Sequence, residues 1–309
     1  VERDRVDTII QTDRLTKRFG SSRGIEDVSM SVQRGEVFGF LGPNGAGKTT
    51  TIRSLLDLLH PTSGSARLFG LDSRRDSLAI RARLGNLPGE FAYEPRRSGR
   101  ELLEFLAQLR GMDDLGAAPA LAERFSADLD RPLGELSRGN RQKIGLVQAM
   151  FHEPELLILD EPTGGLDPLV QEQFHEVVAE QRERGVTVFL SSHMLDEVER
   201  VCDRVGIIRE GRLVDVEPVS ALTRRSYRIV TVEFAEPVDP AEFERLPGVS
   251  ELSVDGTRAT FKAAAGALDP VVKALARHPV RDLELAHPSL EEIFLTYYTV
   301  PGEQAPEVA

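Results

Sequence analysis

Eight consecutive residues, Gly42-Pro43-Asn44-Gly45-Ala46-Gly47-Lys48-Thr49, constrain this chain more than any others. They follow an apolar run of buried-strand type, Glu36-Val37-Phe38-Gly39-Phe40-Leu41. They precede residues 49–60, where Ile52, Leu55, Leu56 and Leu59 recur at helical spacing until Pro61 and Gly64 stop the pattern. A glycine-rich turn between a buried strand and a helix is the phosphate-binding P-loop pattern. Its glycines let backbone N–H groups turn toward an anion where a Cβ would obstruct them, and the helix N-terminus adds a favourable dipole end. The spacing assigns Lys48 to the β- and γ-phosphates of a nucleotide. It assigns the Thr49 hydroxyl, with Thr50 beside it, to the nucleotide and its Mg²⁺.

A second apolar strand, Leu156-Leu157-Ile158-Leu159, ends in Asp160-Glu161. A carboxylate at that strand end, beside the P-loop strand, can hold Mg²⁺ directly or through water, which makes Asp160 a metal-ligand candidate. Glu161 is then the candidate general base for the water that attacks the γ-phosphate.

The pattern around these motifs predicts an α/β core with a mainly parallel sheet. Strand-like runs lie at 8–12 and 24–32, separated by Gly20-Ser21-Ser22. Amphipathic helices at 101–110, 119–125 and 141–151 form a helical insertion of about residues 86–151. A helix follows Pro168 to residue 184, a buried strand occupies 186–190, and a helix runs on through 201 after Ser191-Ser192-His193. Near residue 223 the pattern changes. Strand 227–234, helix 241–246, strand 250–254, an Asp255-Gly256 hairpin turn, strand 259–262, helix 268–277 and strand 280–285 give the order βαββαβ, that of a small ferredoxin-like α+β unit. A closing helix is expected at 288–298 and a disordered tail after Pro301. The predicted domains are therefore 1–222 and 223–309.

With 309 residues, 40% of them hydrophobic and 28% charged, the chain suits a globular protein with a sizeable core. A formal net charge of −12 argues against nucleic acid as a partner, because phosphate backbones attract basic surfaces. Cys202 is the only cysteine, which excludes an intrachain disulfide and suggests a buried structural thiol. Residues 1–10 lack a continuous hydrophobic run, and no stretch approaches the roughly 20 apolar residues that span a bilayer. The expectation is a cytoplasmic protein that works at a membrane only through a partner.

Further segments carry a family resemblance. Leu136-Ser137-Arg138-Gly139-Asn140-Arg141-Gln142-Lys143 resembles the ABC signature, commonly LSGGQ, and precedes the Asp160-Glu161 strand at the usual distance. Gly165-Leu166-Asp167 resembles the D-loop, His193 the switch histidine, and Phe19 the aromatic that stacks on adenine. These occur in the order used by ABC ATPases and cover residues 8 to about 216. The resemblance implies an ABC-type ATPase domain that hydrolyses ATP with Mg²⁺. It also implies that two copies close head-to-tail over two ATP molecules. Each γ-phosphate would lie between Lys48 of one copy and Ser137 and Gly139 of the other, with Asp167 and His193 at the same composite site.

Two departures stand out. Arg138 and Asn140 replace glycine and glutamine in the signature. In Asn86-Leu87-Pro88-Gly89-Glu90, Gly89 stands about where the family places a glutamine, so Glu90 is either a substitute Mg²⁺ ligand or a solvent-facing side chain beside a loop that couples through its backbone. The Ser-Arg-Gly-Asn signature, the ending His287-Pro288-Ser289-Leu290-Glu291-Glu292-Ile293-Phe294 and the small domain look like one subgroup, the ATP-binding subunits of bacterial drug and antibiotic exporters. The implied partners are a separate integral membrane permease, which tethers the chain to the cytoplasmic face of the cell membrane, and a second copy of the chain. The loop Phe91-Ala92-Tyr93-Glu94-Pro95-Arg96 offers aromatics between polar turns, which either dock on the permease or pack back onto the helical insertion. The competing reading is a soluble ABC-type switch associated with nucleic acid or regulation. Such proteins usually carry two ATPase units, zinc sites, coiled coils or basic arms, none of which this sequence shows.

Overall fold

Long runs of apolar residues can be buried only if other elements cover both faces of their sheet, and this requirement organises the larger part of the chain. The computed structural model describes residues 8–286 except 21, 92 and 226. It divides into two units, 1–218 and 219–309, with the division falling before the helix that spans residue 222.

In the first unit, β1 (Thr8–Phe19) and β2 (Ser22–Gln33) form an antiparallel hairpin. β3 (Val37–Leu41) leads through the glycine-rich turn into α1 (Lys48–Leu55). The strand expected at 8–12 thus continues to Phe19, and the helix expected at 49–60 ends at Leu55. Next come β4 (Ser63–Leu68), β5 (Leu71–Asp72), α2 (Ser77–Arg83) and β6 (Leu84–Leu87), a stretch with too little periodicity to read in sequence. The helices α3 (Gly99–Arg110), α4 (Ala118–Arg124) and α5 (Arg138–Met150) form the insertion. Residues 86 and 87, expected to open that insertion, instead belong to strand β6. β7 (Leu156–Asp160), α6 (Pro168–Glu183), β8 (Thr187–Ser192), α7 (Leu195–Val201), β9 (Arg204–Arg209) and β10 (Arg212–Pro218) complete the unit.

Six of these strands form one sheet in the order β10-β9-β3-β8-β7-β6, parallel from β9 to β6. Every residue of β3, β7 and β8 is buried, which is why these read as unbroken apolar runs. Phe38 stacks on Phe189 at 5.7 Å on one face, and Phe40 meets the same ring at 5.5 Å. Truncating a fully buried phenylalanine such as Phe189 to alanine costs about 3–5 kcal/mol. A separate sheet has the order β2-β1-β4-β5. β8 stands between β3 and β7, so the Asp160 strand is not the direct neighbour of the P-loop strand as the sequence suggested.

The second unit contains α8 (Val219–Arg225), β11 (Tyr227–Phe234), α9 (Pro240–Glu244), β12 (Val249–Asp255), β13 (Arg258–Ala264), α10 (Leu268–Leu275) and β14 (Val280–Ala286). Its antiparallel sheet has the order β12-β13-β11-β14, which is the ferredoxin-like arrangement of a βαββαβ chain. Gly256, at φ 62°, makes the tight turn between β12 and β13. Phe234, Phe243 and Phe261 centre its core. The closing helix at 288–298, the tail and the ending 287–294 lie outside the described residues.

Candidate active site

Parallel strands deliver their following loops to one edge of the sheet, and open α/β sheets gather ligands there. At this edge β3 supplies Gly42, β8 supplies Ser191 to His193, β7 supplies Asp160 and Glu161, and β6 supplies Pro88 and Gly89. The ladder sets their alignment: Leu41 pairs with Ser192, Asp160 with Ser191, and Leu87 with Leu159.

The glycine-rich turn is sterically committed to glycine. Gly45 and Gly47 adopt φ 80° and 110°, the left-handed region that a Cβ disfavours. A Cβ at Gly42 would lie 2.3 Å from the Ile208 carbonyl oxygen. Gly42 N–H donates to the Ser192 carbonyl at 3.1 Å and Ala46 N–H to the Pro43 carbonyl at 3.1 Å. Asn44 and Gly45 are exposed, Pro43 is half-buried, and Ala46 is buried.

Lys48 is buried, and its ammonium group is fully engaged. Nζ donates to the carbonyls of Gly42 at 2.6 Å and Pro43 at 3.2 Å, and lies 3.1 Å from Oε1 of Glu161. Nδ1 of His193 meets Oε2 of the same carboxylate at 2.7 Å. Thr49 donates its hydroxyl to Oδ2 of Asp160 at 2.7 Å, and Ser191 donates to Oδ1 at 2.6 Å. Thr50 is half-buried, and its carbonyl accepts from the Ser54 hydroxyl at 2.8 Å. The structure thus brings Lys48, Thr49, Asp160, Glu161 and His193 into one cluster.

Two further residues shape that cluster. Glu161 has φ 51°, a strained conformation for a residue with a Cβ. Its N–H is held by the Ser191 carbonyl at 3.3 Å and the Ser191 hydroxyl at 3.1 Å. Glu197 on α7 is buried and accepts a short hydrogen bond from the Ser192 hydroxyl. Burial pushes its carboxyl above the usual carboxylate range, against hydrogen bonds from Ser192 and Thr163. Ser191 and Glu197 gave no sequence signal of their own. A serine before a histidine and a glutamate on a short helix both read as solvent-facing until the strand register is known.

The signature residues form a second group. Ser137 caps α5, its hydroxyl accepting from Asn140 N–H at 3.2 Å. A Cβ at Gly139 would lie 2.6 Å from the Gly165 carbonyl oxygen, so the signature lies against the D-loop segment of its own chain. Lys143 Nζ is 3.8 Å from Oδ2 of Asp167, which caps α6. Among the described residues, no hydrogen bond or ion pair joins Ser137 or Gly139 to the Lys48 cluster.

Phe19, at the end of β1, is 42% exposed, with Lys17 Nζ 5.4 Å from its ring centroid. Glu90 is exposed. It is Gly89 that meets the metal-ligand candidate: a Cβ there would lie 3.0 Å from Oδ2 of Asp160. The aromatics of the loop after Glu90 turn inward instead of offering a free docking face. Phe91 and Tyr93 stack at 6.2 Å and pack on the core, and Arg141 covers Tyr93 at 5.0 Å. Cys202 also packs on that core, and burial holds its thiol well above its usual range.

Residues and ligand chemistry fit. The turn is a cradle that side chains would fill. Asp160, 1% exposed, is met by two hydroxyls, and a buried carboxylate held by neutral donors suits a divalent cation.

Comparison with known proteins agrees. Residues 25–164 match the ABC transporter family, and residues 226–285 match the EvrA-like ABC transporter C-terminal domain. The chain is 38% identical to the bacitracin transport ATP-binding protein BcrA of Bacillus licheniformis, over 74% of this chain and 76% of that protein. It is 34% identical to the daunorubicin resistance ATP-binding protein DrrA3 of Streptomyces coeruleorubidus, over 94% of this chain and 95% of that one. A solved ATP-binding subunit of an ABC transporter superposes with a TM-score of 0.65 at 30% identity, covering 70% of this chain and 92% of that one.

Proposed function

The chain belongs to the ABC transporter family as an ATP-binding, ATP-hydrolysing subunit, and from that premise we propose that it powers export of drugs, antibiotics or other small amphipathic molecules through a separate membrane permease. The observation that carries the catalytic part is the shared carboxylate of Glu161, held by Lys48 on one oxygen and His193 on the other. Among the described residues no helix is long and apolar enough to cross a membrane, which suits a subunit that reaches the cytoplasmic membrane face through its partner.

In this reading the glycine-rich turn and Lys48 take the phosphates, and Phe19 stacks on the adenine. Lys48 exchanges its carbonyl and carboxylate partners for phosphate oxygens, a stronger charge-assisted set. That exchange frees Glu161 to orient and deprotonate the attacking water. His193 keeps Glu161 aligned and senses the γ-phosphate. Thr49 and Asp160 would hold Mg²⁺, which supplies charge neutralisation on the phosphates. Ser137 and Gly139 face the nucleotide of a second copy, with the N-terminus of α5 directed at the anion. Asp167 orders the segment that meets the signature.

With Phe91 and Tyr93 packed inward, α2 and α3 present the apolar surface that would meet the permease. Leu78 on α2 is 81% exposed, and Phe105 and Leu109 on α3 are also exposed. Arg110 ties the two helices together by donating to the carbonyls of Ala82 and Leu84. The test is co-expression with the permease in a drug-sensitive strain. Cells should tolerate more bacitracin or daunorubicin with the wild-type pair, and lose that tolerance with Glu161→Gln. Leu78→Asp with Leu109→Asp should release the permease while ATP hydrolysis by the free chain persists. Unchanged tolerance toward both compounds would reject export of that class.

A further inference from the structure

One side chain joins the helix that begins at the signature to the backbone that carries Glu161. Gln142 lies on α5, five residues after Ser137, and is 8% exposed. Its Nε2 donates to two successive carbonyls, Glu161 at 3.2 Å and Pro162 at 3.0 Å. These bonds fall where the backbone is strained, at the φ 51° of Glu161. A left-handed residue with a Cβ persists only when its surroundings over-determine it. Here the surroundings are Ser191 on the N–H side, and Gln142 with the Gly164 N–H on the carbonyl side. The same helix packs at its first turn against the Gly165 carbonyl, which leaves no room for a Cβ at Gly139, and in its second turn Lys143 pairs with Asp167 at 3.8 Å. A helix is stiff along its axis, so a push at Ser137 reaches Gln142 as a rigid displacement.

We propose that Gln142 is a positioning residue for Glu161. It locks the backbone that aims the carboxylate at His193 and the attacking water. Because its helix starts at the signature, it also makes that aim depend on the signature's contact with the nucleotide of the second copy. Dimer closure over ATP then switches on the base within the same chain. The inference rests on the proposed roles of Glu161 as base and of Ser137 as the contact across the dimer.

Gln142→Met in the full chain keeps the length and helix preference of the side chain and deletes both donors. ATP affinity and ATP-induced dimerisation, followed by light scattering, should stay within about twofold, while kcat falls about tenfold or more. Wild-type specific activity should rise with protein concentration as dimers form. Gln142→Met should form the dimers without that rise. Combined with Glu161→Gln, it should cost little beyond the single Glu161 variant, because both act through one carboxylate. Should Gln142→Met fail to fold, Gln142→Glu preserves the shape but turns ionised oxygens toward the two carbonyls, and the same pattern is expected. An unchanged kcat, a loss of activity in proportion to lost dimerisation, or an equal loss in the Glu161→Gln background would each overturn the proposal. Hydrolysis by Glu161→Gln alone at the wild-type rate would instead overturn the base assignment.

Discussion

Glu161 offers one carboxylate oxygen to Lys48 at 3.1 Å and the other to His193 at 2.7 Å, so a single side chain links the lysine of the glycine-rich turn to the histidine that follows β8. In the proposed mechanism this linkage would make the base conditional, with Lys48 pairing with it until phosphate draws the ammonium away. Glu161→Gln keeps the shape and the histidine contact but cannot accept a proton. Hydrolysis should fall about a hundredfold to ten-thousandfold, with ATP binding retained and an ATP-bound dimer accumulating. Single-turnover hydrolysis and light scattering check this, and hydrolysis at the wild-type rate would remove Glu161 from the base role.

The loop beside Asp160 makes a second, sharper prediction. Gly89 stands where the family usually has glutamine, and a Cβ there would press on Oδ2 of Asp160 at 3.0 Å. Gly89→Gln therefore restores the family's residue yet should lower hydrolysis several-fold, because the loop must shift away from the metal-ligand candidate. If Glu90 supplies the missing ligand, Glu90→Ala should slow hydrolysis and raise the Mg²⁺ requirement with little change in ATP affinity, and Glu90→Gln should retain much of the activity. A Mg²⁺ titration separates the cases: a Glu90→Ala curve superimposed on wild type would show that Glu90 takes no part.

Buried Glu197 carries a prediction about pH. Its carboxyl is raised above the ordinary glutamate value, first by burial. A raised folded value means that its contribution to stability is fully present below the ordinary glutamate pKa and is lost as pH rises through the folded value. Glu197→Gln keeps an acceptor for the Ser192 hydroxyl and removes the titration. Its melting temperature should exceed that of wild type by a few degrees near neutral pH, with the gap closing as pH falls toward the ordinary glutamate range. Parallel melting curves across that range would show that Glu197 does not titrate with folding.

Much of this was legible in the sequence for physical reasons. The strand–glycine turn–helix around Lys48 is local, and so is the apolar strand ending in Asp160 and Glu161. The βαββαβ order of the small unit followed from alternation and one Asp-Gly turn. What escaped was set by partners distant in sequence. β6 is only four residues long and is a strand because β7 lies beside it. The placement of β8 between β3 and β7 gave Ser191 its bond to Asp160, which no local pattern announces. For Phe91 and Tyr93 the sequence left a partner surface and inward packing open, and α5 behind them half-buries both.

A site completed across two copies of the chain can be rebuilt by complementation. Lys48→Ala destroys the phosphate side of its own site and leaves its signature intact. Ser137→Ala does the reverse. In a head-to-tail pair, each homodimer then lacks a whole site, while a mixed dimer has one complete site. Equal mixing should restore about a quarter of wild-type hydrolysis, since half the dimers are mixed and each has one working site of two. Hydrolysis that appears on mixing, from two proteins that are inactive apart, is the predicted result. A mixture as inactive as its components, or a Ser137→Ala chain that hydrolyses ATP unaided at the wild-type rate, would contradict the composite site.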